Sequence, residues 1–453
     1  MAHYVAAESG AHTVFLARSE SWSPVVGYEG RLGKQPPQLH GRREAQTNPV
    51  QQKSQRRLHM GDDCARPTAK RSRPPQAPKF LVESARQKNV SRIVIDARES
   101  GTGSGRYVDK MVEYLHGLQP QHEIILLAKP HRLKYLRDIA PAFTVIQTPF
   151  KEFTFGEQLG FKRQINSLQA DLVHFPFVQQ PIWYSGRVVT TMQDLTTIRF
   201  RNPLKNPAVF WVKQQVYKWI NKRAAHKSAA IITISEFVKQ DIVQYTHVSP
   251  DKITVTYEAA DQITDSPEPV TSLQGKQFLM YIGRPLPHKN LDRLVDAFGI
   301  LQKDRPGLWL ALAGKKDALY EQTAQRAETK GITNIVFTDF ITEGQLRWLY
   351  ENCAVYTFPS LSEGFGLPAL EALQHGAPLV STNATCSPEI YGDAAVYFNP
   401  LDPSDMAAKI GEVLDNAPLR SELVTKGKAQ AAKYSWRRMA EQTLAVYQHA
   451  LKQ

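Results

Sequence analysis

Cysteine is nearly missing: Cys64, Cys353 and Cys386 are the only three, far apart and with no CxxC pair. That excludes a disulfide framework and a thiolate zinc site, and it suits a reducing compartment. No stretch approaches the roughly 18–20 consecutive apolar residues of a membrane-spanning helix. The first residues also lack a compact apolar run followed by a small-residue cleavage site. The expectation is a soluble, cytoplasmic protein. Asp-x-Asp occurs nowhere, and neither do a P-loop, HExxH or Gly-x-Ser-x-Gly. A paired-carboxylate Mg²⁺ or Mn²⁺ site, Walker-type phosphate binding, zincin chemistry and a nucleophile elbow therefore lack their signatures. No metal and no cofactor are expected.

Positive charge is abundant. The 453 residues carry 56 Lys+Arg against 43 Asp+Glu, a formal net charge of +13. Such a balance raises nucleic acid, an acidic membrane or an anionic substrate as partners. Its location narrows the choice, because residues 1–90 hold 15 basic and 7 acidic residues while 91–453 hold 41 and 36. Residues 1–90 also contain QPPQ, GRR, QRR and KRSRPP without sustained periodicity, the composition of a disordered basic tail. A solvated tail, an extension upstream of the true start and a basic arm for anionic lipid or nucleic acid all fit. The remainder needs no polyanion, so no specific nucleic acid partner is expected.

Beyond position 90 the pattern becomes regular, with 42% hydrophobic residues overall, enough for two or three cored domains. Short apolar runs at 92–97, 123–129, 143–148, 172–177, 188–192, 231–235 and 253–257 read as strands. Between the first two, Val108, Met111, Val112, Leu115 and Leu118 recur at helical spacing. A second series follows at 278–282, 309–313, 335–340, 355–358, 378–381 and 395–398. Alternating strands and helices predict α/β architecture with mostly parallel sheets. The expected divisions are an N-terminal domain over 91–258, a linker over 259–276, a C-terminal domain over 277–435 and a last helix within 436–453.

One stretch concentrates chemistry. An apolar strand ends at Pro359, and SEGFGLPALE (362–371) follows as a Gly-rich turn leading into a helix with Pro368 in its first turn. Gly364 and Gly366 let backbone approach a ligand, exposed N–H groups at the helix start suit an anion, and Glu371 could accept from a diol. This set lies at the carboxyl end of a strand, where open α/β sheets bind ligands. A second stretch, YIGRPLPHKN (281–290), ends a strand at Gly283 and sets Arg284 and Lys289 before another helix. Arg284 supplies a bidentate fork and Lys289 a point charge, both suited to a leaving group that gains negative charge.

The 363–371 segment resembles the E-x7-E signature of retaining glycosyltransferases of family 4, which have the GT-B fold. The resemblance runs over about 92–450 and is strongest over 278–376. It implies that Glu363 contacts the donor sugar, that the backbone of Gly364, Phe365, Gly366 and Leu367 lies along sugar and phosphate, and that Glu371 binds the ribose. Gly283, Arg284 and Lys289 match the family's phosphate-holding G-R-x4-K-N. The turn GTGSGRY (101–107) is similar to one facing the family's interdomain cleft and implicates Gly103, Gly105 and Arg106. The stretch 188–200 looks like the family strand ending in His-Asp-Leu, but here Gln193 stands at the His position beside Asp194. Gln can donate and accept but cannot change charge near neutral pH, which weakens an acid/base role and leaves sugar positioning. Ser235 matches a strand-to-helix segment where it could simply cap the helix. His174, alone at a strand end, is read as structural.

The resemblance thus implies two Rossmann-like doubly wound domains facing a central cleft, with the last helix returning to the N-terminal domain. It implies a retaining, metal-independent hexosyltransferase that uses a nucleotide-diphosphate sugar and a glycan or lipid-linked acceptor in polysaccharide, glycolipid or cell-envelope glycan synthesis. A mannosyltransferase-like enzyme with peripheral contact at the cytoplasmic membrane face fits that setting. Base selection is expected around 338–342. The alternative is a nucleotide-sugar-binding pseudoenzyme or adaptor without transfer activity.

Overall fold

The computed structural model describes residues 90–200 and 207–453. The basic tail read over 1–90 lies, except for its last residue, outside the described residues. The first sheet is built from β1 (Arg92–Asp96), β2 (Glu123–Ala128), β3 (Thr144–Gln147), β4 (Leu172–Phe175), β5 (Val188–Thr191), β6 (Ala230–Thr233) and β7 (Ile253–Val255). Their order is β3-β2-β1-β4-β5-β6-β7, and every pairing is parallel. The second sheet holds β8 (Phe278–Ile282), β9 (Trp309–Ala313), β10 (Ile335–Phe337), β11 (Val355–Phe358), β12 (Leu379–Thr382) and β13 (Ala395–Phe398). It runs β10-β9-β8-β11-β12-β13, again wholly parallel.

Parallel strands covered by helices on both faces are buried and read as near-continuous apolar runs. β4, β5, β6, β8, β11 and β12 are buried at every position, and polar residues among them such as His174, Thr190 and Thr191 are hydrogen-bonded. The expected α/β, doubly wound fold is the one observed. Strands 278–282, 309–313, 355–358 and 395–398 have the expected limits, while 335–340 stops at Phe337, after which Asp339 takes a positive φ of 57° and bridges Gly314 antiparallel. In both sheets the strand order reverses at the centre, between β1 and β4 and between β8 and β11. Such reversals open a crevice at the carboxyl ends.

The C-terminal helix Trp436–Lys452 packs on the first sheet, where Trp436, Met439 and Tyr447 share a core with Ile93, Met111 and Val189. His174 pins it there. Its Nδ1 lies 2.6 Å from the Tyr447 hydroxyl and its Nε2 lies 2.8 Å from Thr191 Oγ1. Complete burial pushes the imidazole down to about 3, so it is neutral and structural. Residues 259–276 are tied to both halves: Asp261 pairs with Arg106 and Lys110, and Leu273 is buried in the second domain's core. Among the described residues no helix is long and apolar enough to cross a membrane.

Candidate active site

The loops leaving β8 and β11 flank the reversal in the second sheet, so residues 74 positions apart in sequence come together. The Lys289 ammonium donates to Glu363 Oε1 at 2.6 Å, and both side chains are mostly buried. Burial acts to raise the Glu363 carboxyl, but Lys289 and His288 more than offset it and hold the group below its ordinary range. Asn290 stiffens the pair by donating to the carbonyls of Pro359 (3.0 Å) and Pro400 (2.7 Å). Arg284, on the same loop as Lys289, is 41% exposed, its Nε donating to Asp317 Oδ2 at 2.8 Å. Asp317 also caps its own helix by accepting from Leu319 and Tyr320 N–H groups.

After Glu363 the chain turns into the helix Leu367–Gln374, with Gly366 at φ +90° as its N-cap. That backbone disfavours any L side chain, and a Cβ there would also lie 2.0 Å from the Tyr391 hydroxyl. Tyr391 holds the turn by donating to the Gly366 carbonyl at 2.9 Å. The Phe365 side chain is 2% exposed and packs on Tyr257 and Tyr434. It is therefore turned away from any ligand, and only its backbone is left to the turn. Leu367 packs between the cores of the two domains.

The N-terminal domain closes over this turn. A Cβ at Gly364 would come within 2.4 Å of the Gln193 carbonyl oxygen and 3.1 Å of Asp194 Cβ. Ser235 both caps its helix through Val238 N–H and donates to the Gly364 carbonyl at 2.8 Å. Thr196 Oγ1 and Ser362 Oγ are 2.8 Å apart, and Glu389 accepts from the Glu236 and Phe237 N–H groups at 2.7 and 2.8 Å. Arg106 reaches across to Glu371 and also pairs with Asp261. Burial works against its charge, but the two carboxylates prevail and its pKa is raised. Gly105 is buried in the turn before Arg106, and Gly103 is half-buried in the same turn.

Asp194 accepts from Thr196 N–H at 2.9 Å, a turn contact. Its carboxyl is pushed up by burial, with Glu363 adding to the effect. The Gln193 side-chain Nε2 is buried and has no hydrogen-bond partner. Buried polar groups are almost always paired, so an orphan donor beside Gly364 is suited to an incoming acceptor atom. Gly283, at the end of β8, has its carbonyl held by the Tyr320 hydroxyl at 2.5 Å. Direct contacts thus join Lys289 to Glu363, Gly364 to Gln193 and Asp194, and Arg106 to Glu371, while Arg284 pairs with Asp317.

Sequence reasoning missed Glu258, whose buried carboxyl is pushed up to about 8, chiefly by burial, with Arg106 opposing and Asp194 adding. It also missed Asp317, Asp261 and Glu389. Only Asp317 carried a local signal, as a helix N-cap.

Two family descriptions divide the chain between them. "Glycosyltransferase Family 4" matches residues 101–262, and "Glycosyl transferases group 1" matches residues 262–430. The chain belongs to the group 1 glycosyltransferases of the GT-B fold. Within the family it is 33% identical over 233 residues to the serotype-specific mannosyltransferase WbdA of Escherichia coli, a match covering 48% of this chain and 28% of that protein. It is 29% identical over 273 residues to the O-antigen chain mannosyltransferase B of Escherichia coli, covering 58% and 70%. Among solved structures, Anabaena Alr3699/HepE in complex with UDP superposes with a TM-score of 0.61 at 14% identity, over 80% of this chain and 100% of that one. That similarity concerns the fold.

Proposed function

We propose that this chain transfers a hexosyl group from a nucleoside diphosphate sugar to a hydroxyl of a glycan or lipid-linked acceptor, with retention at the anomeric carbon and without a metal ion. The observation that carries the reading is the Lys289–Glu363 pair, set below the N-terminus of the helix Leu367–Gln374 at the sheet's reversal. As the glycosidic bond breaks, the diphosphate gains charge. Fixed cations and oriented N–H groups stabilise that state more than the ground state. Arg284, Lys289 and the helix start serve the diphosphate, and Glu371 takes the ribose hydroxyls in exchange for Arg106. The departing phosphate oxygen accepts the acceptor proton on the same face, so the step needs no carboxylate nucleophile. Glu363 and Gln193 hold the sugar. The mannosyltransferase names of the relatives make a mannosyl donor the first to try. The setting is cell-envelope glycan synthesis at the cytoplasmic face of a membrane, with peripheral contact.

The test is a thermal-shift series with UDP, GDP and ADP hexoses on the full chain, followed by transfer assays with and without EDTA and anomeric assignment of the product by NMR. A donor at 100 times its Kd stabilises by about 2.7 kcal/mol. Arg284→Ala and Glu363→Ala should each cut turnover by about 10²–10³. Near wild-type rates in both would overturn the site assignment.

A further inference from the structure

The helix Pro207–Lys227 has two apolar faces. Its inner face is buried through Phe210, Ala224 and Ala225. Its outer face leaves Trp211 62%, Val212 56%, Val216 52% and Trp219 53% exposed. Val212, Val216 and Trp219 follow the i, i+4, i+7 spacing of one helical stripe. Two other segments extend this face: Trp183 is 60% exposed and Phe155 87% exposed, and both line one cleft of about 510 Å³ with Val216 and Trp219. Isolated surface hydrophobics are ordinary, but a cleft lined by exposed Phe155, Trp183, Val216 and Trp219, with exposed Trp211 on the same helix, marks an interaction surface.

The surrounding charge identifies the occupant. Between Asp194 and Glu236 the sequence has no acidic residue and eight basic ones. Lys213, Lys222 and Arg223 are exposed on the same helix, and Lys151 and Arg163 are exposed on the neighbouring segment. Lys227 is held down to about 8, chiefly by burial, with the neighbouring charges of Arg223 and Lys162 adding to it. Tryptophan beside lysine and arginine is the composition of groups that sit at a bilayer surface, with rings among headgroups and cations over phosphates. The patch also lies well for the cleft: Phe155 follows β3, Trp183 follows β4 and the helix follows β5, all downstream of the carboxyl ends of the first sheet's strands.

We propose that this face docks the protein on an anionic lipid bilayer, with Trp183, Trp211 and Trp219 seated in the headgroup layer and Lys213, Lys222 and Arg223 over lipid phosphates. The surface gives the proposed peripheral contact a location, and it stands or falls apart from the chemistry.

The test is co-sedimentation of the full chain with phosphatidylcholine vesicles and with vesicles containing about 30% phosphatidylglycerol, together with tryptophan quenching by brominated lipid. Anionic vesicles should bind at least tenfold better, and binding should fall as salt rises. Combined Trp183→Ser, Trp211→Ser and Trp219→Ser should weaken binding at least tenfold and abolish the quenching. Combined Lys213→Glu, Lys222→Glu and Arg223→Glu should weaken it equally, although both variants keep the basic residues of 1–90. Unchanged binding in both variants would overturn the proposal, as would wild-type protein that binds without quenching. It would also fail if the tryptophan variant turned a dimer into a monomer while vesicle binding persisted. Transfer to a soluble acceptor should stay within about twofold in both variants. Vesicle binding without any transfer activity would count against the proposed chemistry and leave this surface standing.

Discussion

Replacing Lys289 by methionine tests the centre of the cleft. The side chains of Lys289 and Glu363 are 12% and 13% exposed, and their contact is 2.6 Å. Removing the cation keeps most of the apolar volume and leaves a buried carboxylate without its partner, which costs about 3–5 kcal/mol. For a domain of this size that corresponds to a melting temperature lower by about 10 °C. The pH dependence carries the sharper sign. In the native chain the Glu363 pKa lies below its unfolded value, so the pair's contribution is present at neutral pH and lost as pH falls through the folded pKa. In Lys289→Met, burial and the nearby Asp194 should instead hold Glu363 above its unfolded value. The deficit is then largest at pH 8 and shrinks as pH drops toward about 4.3. Adding Glu363→Gln should recover much of the lost stability but none of the turnover, which should be down about 10²–10³ in either variant. Calorimetry at pH 5 and 8 with single-turnover kinetics reads both. A Lys289→Met protein that melts within a degree of wild type at both pH values would refute the reasoning.

Gly364→Ala puts a methyl group against the Gln193 carbonyl, so it should cost about 1–3 kcal/mol. Because the tightest neighbour is a backbone carbonyl of the N-terminal domain, it should also separate the domains: transfer falls at least tenfold while isolated-nucleotide affinity, by calorimetry, changes less. Gln193→Ala removes a buried donor with no partner, so melting should shift little while kcat falls and KM for the nucleotide sugar stays near wild type. His174 is neutral in the fold and charged in the unfolded chain below about 6.5, so it destabilises progressively, by about 1.4 kcal/mol per pH unit, as pH falls from 6.5 toward 3. His174→Gln should flatten that part of the stability profile and lower stability at pH 8 through the lost Tyr447 and Thr191 contacts, both read by denaturant titration.

The strands were legible from sequence because a parallel strand buried on both faces reads as a mostly apolar, β-branched run, a signal complete within about five residues. The two loops with Arg284, Lys289, Glu363 and Glu371 were legible because a strand, a glycine turn and a helix start are neighbours in sequence. The face of the helix Pro207–Lys227 was not. Its exposed side mixes Trp211, Val212, Val216 and Trp219 with lysines and its buried side mixes Phe210 and alanines with Gln214 and Asn221, so no clean periodicity separates them, and only packing shows which tryptophans remain in water.

By itself the sequence determined the two α/β halves, the family and the spacing of the cleft loops, since these rest on preferences that act over one strand or one helical turn. Tertiary structure alone decided that Arg106 meets Glu371 from 265 positions away, that Tyr447 meets His174 from 273 away, and that burial pushes the Glu258 carboxyl up to about 8. The physical reason is one of range: a residue's conformation is set by its neighbours in the chain, whereas its charge state and partners depend on desolvation and on which distant elements pack against it.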